Sequence, residues 1–92
     1  MKKYALIEHS SGHVWWMGEA LSPAEAASRC EHQSGLDHVA IVPANMWTGV
    51  DWTYAVHELP DNFEVVGIDG SDEEVIARVR AYPIVNYVGM TR

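Results

Sequence analysis

The sequence predicts an α+β fold in one domain spanning residues 1–92. Two observations lead to this prediction. Short segments with strand-like alternation or apolar, β-branched composition are separated by turn residues, and two other segments begin with strong helix-capping patterns. The expected order is β-β-α-β-β-(β)-α-(β). Helices that alternate with hairpins favour one antiparallel or mixed sheet of four to six strands, with both helices packed on one face.

The first half of the chain predicts a hairpin and then a helix. Residues 3–9 alternate in polarity, and residues 13–20 are rich in strand-favouring side chains, with a short turn at 10–12 between them. Trp15 and Trp16 are consecutive, so in a strand they would point to opposite faces and one of them should enter the core. Ser22 and Pro23 start a helix, with Glu25 available to complete a capping box. Gly35 should end it.

The second half predicts three short strands, a helix and a last strand. The strands are expected at 38–42, 53–59 and 63–68, with a loop over 44–52. Ser71 is expected to cap the second helix together with Glu74, and Pro83 should end it. Residues 84–90 then have strand character and could return to the sheet.

Charge is distributed unevenly along this chain. The net charge is −7, and the segment between Cys30 and Ala77 contains ten carboxylates but neither Lys nor Arg. A surface of one sign attracts cationic partners and repels phosphate, so direct binding to a nucleic-acid backbone is not expected. The bland interpretation is that these acids only keep loops soluble. The helix macrodipole also favours negative charge in the first turn of a helix, so an acid such as Glu73 is expected there even without a partner.

The leading hypothesis is a small acidic protein without enzymatic activity that binds a basic protein surface. One concrete version is an inhibitor of a nucleic-acid-handling complex, acting by nucleic-acid mimicry, of the kind that phages and mobile elements use against host defences. The contact would combine acidic side chains with two tryptophans, since Trp in a loop is a common interface anchor. The predicted contact residues are Trp47, Asp51, Trp52, Asp61, Glu64, Asp69, Asp72, Glu73 and Glu74.

Two alternatives stay open. In one, an exposed sheet edge or Trp patch forms a homodimer and the protein is a self-associating accessory domain. In the other, the chain is a small-ligand binder or an enzyme of unknown class. No catalytic residue or cofactor is predicted, because the sequence contains no complete catalytic, metal or nucleotide motif.

The histidines and the cysteine do not predict a metal site or a nucleophile. His9 and His13, and Cys30 with His32 and His38, lack the paired spacing of a zinc site. Cys30 lies near the carboxyl end of its helix, where a thiol is poorly activated, so a small buried core residue is expected. With a single cysteine, no membrane-spanning apolar run and no signal-peptide pattern, a cytoplasmic location is expected.

Overall fold

The computed structural model describes residues 1–9, 11–34, 39–43, 52–64 and 70–90. Within these residues the chain forms five strands and two helices, in the order that the sequence predicts. The elements are β1 (Lys2–Glu8), β2 (Val14–Ala20), α1 (Pro23–Ser34), β3 (Val39–Pro43), β4 (Trp52–Leu59), α2 (Glu73–Arg80) and β5 (Ile84–Met90). The α+β class is therefore confirmed.

The five strands form one sheet in which every described pair of neighbours is antiparallel. Their spatial order is β2-β1-β4-β5-β3. The hairpin of β1 and β2 is the predicted one, and β4 pairs with the other side of β1. The long connection that contains α2 returns the chain as β5, between β4 and β3.

The sequence predicts both helices on one face of the sheet, whereas the structure places one helix on each face. In β1, Tyr4 and Leu6 pack in a cluster with Cys30 of α1. The intervening Ala5 and Ile7 pack in a second cluster with residues of α2. Successive strand side chains point to opposite faces, so the two clusters lie on opposite sides of the sheet. The apolar run from Tyr4 to Ile7 is itself typical of a strand that is buried on both faces.

The first helix begins as predicted, and the second begins one residue later than predicted. The Ser22 hydroxyl accepts a hydrogen bond from the Glu25 backbone N–H at 3.2 Å. In α2 the cap is Asp72 rather than Ser71, and its carboxylate accepts from the Glu74 N–H at 2.9 Å. Ser and Asp cap equally well, so composition alone does not choose between neighbours.

Several predictions fall partly or wholly outside the described residues. These include the helix stop at Gly35, most of the loop over 44–52 and most of the strand over 63–68. Phe63 and Glu64, which are described, are not in a strand. The strand expected to end at residue 42 instead ends at Pro43, which lies opposite Asn86 of β5. Because β3 lies at the end of the strand order, a proline is tolerated there.

Candidate interaction surface

Three carboxylates are exposed at the start of α2. Asp72 has an extended backbone, with φ −69° and ψ 120°, and its side chain caps the helix. Glu73 and Glu74 occupy the first turn, and all three residues are exposed. The positive end of the helix macrodipole stabilises negative charge at these positions. The fold therefore holds a compact group of three acids that are exposed to solvent.

Gly70 attaches the start of α2 to the start of β2. The Val14 N–H donates to the Gly70 carbonyl at 2.8 Å. A Cβ atom added at Gly70 would overlap the Val14 carbonyl oxygen, so this approach of two backbones requires glycine. Asp72 follows two residues later, within about 7 Å of chain. The acidic helix start consequently lies beside the first residues of β2.

An irregularity in the hairpin leaves Trp15 on the outside of the molecule. Leu6 pairs with Trp16 while Ile7 pairs with Val14, so Trp15 is an extra residue on its strand. Trp16 is buried, with 8% of its surface exposed, and its ring packs over Gly18. Trp15 is 48% exposed. One tryptophan enters the core as expected, and its neighbour is left as an exposed aromatic next to the Val14–Gly70 contact.

The predicted contact residues do not all meet at this place. Trp47, Asp51 and Asp69 lie outside the described residues, and Trp52 is the first residue of β4. Asp72, Glu73 and Glu74 lie together at the start of α2. Asp61 and Glu64 are exposed in the turn that follows β4.

Phe63 locates that turn near the other end of α2. Its ring packs edge-to-face on Tyr82, which follows α2, with the ring centres 5.9 Å apart. The guanidinium carbon of Arg78, in the last turn of α2, lies 5.2 Å from the centre of the Phe63 ring. Eight helical residues span about 12 Å. The described acids of this region thus form two groups, separated by roughly the length of α2.

Two further acids are paired with basic side chains. Glu58 accepts from the Lys2 ammonium at 2.9 Å, and this contact raises the pKa of Lys2. Glu25 accepts from the Arg29 guanidinium, also at 2.9 Å, one helical turn away. The Lys3 ammonium donates to the backbone carbonyls of Asp61 and Phe63. These contacts place a cation beside Glu58 and Glu25, while Asp72, Glu73 and Glu74 are exposed at the start of α2.

The lone thiol is a core group. Cys30 is buried against the sheet, and burial raises the pKa of its thiol to about 11. A hydrogen bond with Tyr54 opposes this rise, and the charge of Glu8 adds to it. The thiol is therefore protonated at neutral pH, which agrees with its predicted role as a small buried residue.

Trp15 is not among the contact residues that the sequence predicts. The available signal was the Trp15–Trp16 pair itself, since two consecutive strand residues cannot share one face. Among the described residues, no three His, Cys, Asp or Glu side chains are grouped so that they could hold a metal ion. None of the described helices is long and apolar enough to cross a membrane.

Fold and surface together define an α+β domain with one helix on each face of a five-stranded antiparallel sheet, and with an exposed tryptophan beside an acidic helix start. No protein-family model matches the chain, and no curated protein or solved structure matches it.

Proposed function

We propose that this protein binds another protein, without enzymatic activity, through a surface formed by Trp15 and the carboxylates of Asp72, Glu73 and Glu74. The observation that carries the proposal is the hydrogen bond from the Val14 N–H to the Gly70 carbonyl. It brings a large exposed aromatic side chain and an exposed acidic group to the same region of the molecule. We call these four residues the Trp–acid surface.

The chemistry of the Trp–acid surface suits a basic partner. Carboxylates form charge-assisted hydrogen bonds with Arg and Lys, and an indole ring attracts the same cations over its face. Tryptophan is also enriched among the few residues that carry most of the binding energy in protein interfaces. The net charge of −7 would speed the approach of a positively charged partner and make association sensitive to salt.

The concrete version that we propose is inhibition of a basic, nucleic-acid-handling complex, as by a protein from a phage or another mobile element. Carboxylates at the surface would occupy cationic side chains that otherwise hold phosphates. The protein itself is not expected to bind DNA or RNA, because phosphate contacts need Lys and Arg. A cytoplasmic location is part of the proposal, since a lone thiol is compatible with a reducing compartment.

Two charge-reversal variants test where the contact lies. In the first variant, Glu73→Lys and Glu74→Lys reverse the α2 group while Asp72 keeps the helix cap. In the matched control, Asp61→Lys and Glu64→Lys reverse the group near the other end of α2. Both variants change the net charge by the same amount, so a general charge effect would appear in both.

The measurement is affinity capture from a host lysate at low and high salt, with each variant and the wild-type protein as bait. We expect basic proteins that the wild type retains at low salt to be lost from the first variant and kept by the control. Trp15→Ala should weaken the same contacts at least about tenfold, as loss of an interface anchor does. Equal capture by the wild type and both charge-reversal variants would contradict the proposal, and loss from the control alone would move the contact to Asp61 and Glu64.

Sedimentation of the pure protein separates this function from self-association. A monomer at micromolar concentration agrees with a surface kept for a different partner. A tight dimer that is disrupted by Trp15→Ala would show that the Trp–acid surface pairs with a second copy instead.

A further inference from the structure

A buried histidine links the sheet to the chain that leaves α2. His57 lies on β4, is only 4% exposed and packs on the α2 face. Its Nδ1 atom lies 2.8 Å from the carbonyl oxygen of Tyr82, two residues after the end of α2. Because a carbonyl can only accept, Nδ1 carries the proton in the neutral ring. The second nitrogen, Nε2, is then the atom that would bind an additional proton.

The surroundings of His57 are unfavourable to a positive charge. On the neighbouring strands, the residues opposite it are Ala5 of β1 and Ile84 of β5. From α2, the charged group in the described structure that acts on the ring is Arg80, which is also a cation. No described carboxylate acts on the ring from these elements to offset the cost of protonation.

Burial therefore lowers the pKa of His57, and the charge of Arg80 lowers it further, although the hydrogen bond to Tyr82 opposes both effects. In an unfolded or locally opened chain the imidazole returns to its ordinary pKa of about 6.5. Below that pH the open state binds more protons than the closed state. The stability that the neutral His57 ring contributes is thus fully present above about pH 6.5. It is lost as the pH falls toward the lower pKa of the folded state.

We propose that protonation of His57 weakens the attachment of α2 to the sheet, so that mildly acidic conditions increase the opening of this face of the molecule more than the opening of the α1 face. The carbonyl that holds the ring belongs to Tyr82, and Tyr82 and Val79 pack in the cluster on this face. Opening would displace the helix whose start carries Asp72, Glu73 and Glu74.

Hydrogen exchange of the wild-type protein at pH 7.5 and pH 5.5, corrected for intrinsic exchange rates, tests the proposal. We expect the protection of the amides from Ile76 to Ala81, which donate the helical hydrogen bonds of α2, to fall by up to about tenfold at the lower pH, the limit that one titrating group sets per pH unit below 6.5. The amides of α1 should lose less protection. Equal loss in both helices, or no loss in α2, would overturn the proposal.

The matched variants are His57→Gln and His13→Gln. Glutamine does not titrate, so His57→Gln should remove the pH-dependent loss in α2. His13 is exposed, and its replacement should leave that loss unchanged. Persistence of the loss in His57→Gln would overturn the proposal.

Imidazole NMR of the wild-type protein gives the same answer if His57→Gln fails to fold. The His57 ring should titrate below pH 6.5, and α2 amide signals should change over the same pH range. A His57 ring that titrates at or above 6.5, or α2 signals that do not follow it, would count against the mechanism.

Discussion

The two faces of the sheet are built differently although both are apolar. The α1 face is filled by large strand side chains, such as Leu6 and Trp16, against small helix residues such as Ala26 and Cys30. Glu58 and Glu25, on or beside this face, are paired with Lys2 and Arg29.

The α2 face contains a buried histidine and a shorter helix with acids at its start and arginines in its last turn. Val79 is the fully buried residue of α2, and Val75 and Ile76 are only partly buried. A helix anchored by so little buried surface is easier to displace than one packed along its length. The α1 face thus contributes the larger fully buried side chains, while the α2 face carries the groups to which we assign the proposed responses to a partner and to pH.

The largest expected effect separates the two adjacent tryptophans. Trp16→Ala should lower the free energy of unfolding by about 3–5 kcal/mol, because it removes a large buried side chain from the α1 face. Trp15→Ala should change it by less than about 1 kcal/mol, since that side chain is exposed. Chemical denaturation of both variants measures the difference. Similar losses at the two positions would mean that Trp15 is part of the core and unavailable to a partner.

A smaller effect is expected where α2 meets β2. Gly70→Ala should cost about 1–3 kcal/mol, because the new methyl group overlaps the Val14 carbonyl oxygen and disturbs the Val14–Gly70 hydrogen bond. Exchange of the Val14 amide should accelerate in this variant.

Gly12→Ala is the control for Gly70→Ala. Gly12 has φ +71°, and nothing closer than 3.5 Å faces an added Cβ, so this change carries conformational strain without overlap. It should leave the Val14 amide protected. Acceleration in both variants would mean that the hairpin loop, rather than the contact with Gly70, protects Val14.

The smallest effect distinguishes the structural role of Asp72 from its charge. Asp72→Ala removes the cap of α2 and should cost about 1 kcal/mol in unfolding free energy. Asp72→Asn keeps an acceptor for the Glu74 N–H and should retain nearly all stability while losing the negative charge. Thermal denaturation of the pair gives the comparison. Equal destabilisation would show that the carboxylate charge, and not the capping hydrogen bond, stabilises the helix start.

Local patterns were sufficient for most elements of this fold. The order of strands and helices, the hairpin of β1 and β2 and the cap at Ser22 all follow from residues close together in the chain. Hydrophobic alternation and capping act over a few residues, so the sequence expresses them directly. The predicted cap of α2, Ser71, differs from the observed cap, Asp72, by one position, because Ser71 offered an equally good acceptor.

The candidate surface was only partly predictable. Asp72, Glu73 and Glu74 were expected together, since they are adjacent in one helix start. Their separation from Asp61 and Glu64 depends on how Phe63 packs against Arg78 and Tyr82. Their proximity to Trp15 depends on a contact between residues 14 and 70 that no local pattern encodes.

By itself the amino-acid sequence determined which segments become strands and helices, the acidity of the middle of the chain and the presence of one thiol without a disulfide partner. Only the tertiary structure decided that the helices cover opposite faces, that Trp16 is buried while Trp15 is exposed, and that the described acids divide into separate groups. The physical reason is the distance along the chain over which each effect acts. Backbone propensity and capping act between near neighbours, whereas burial and surface charge arise from residues that the chain brings together across the sheet.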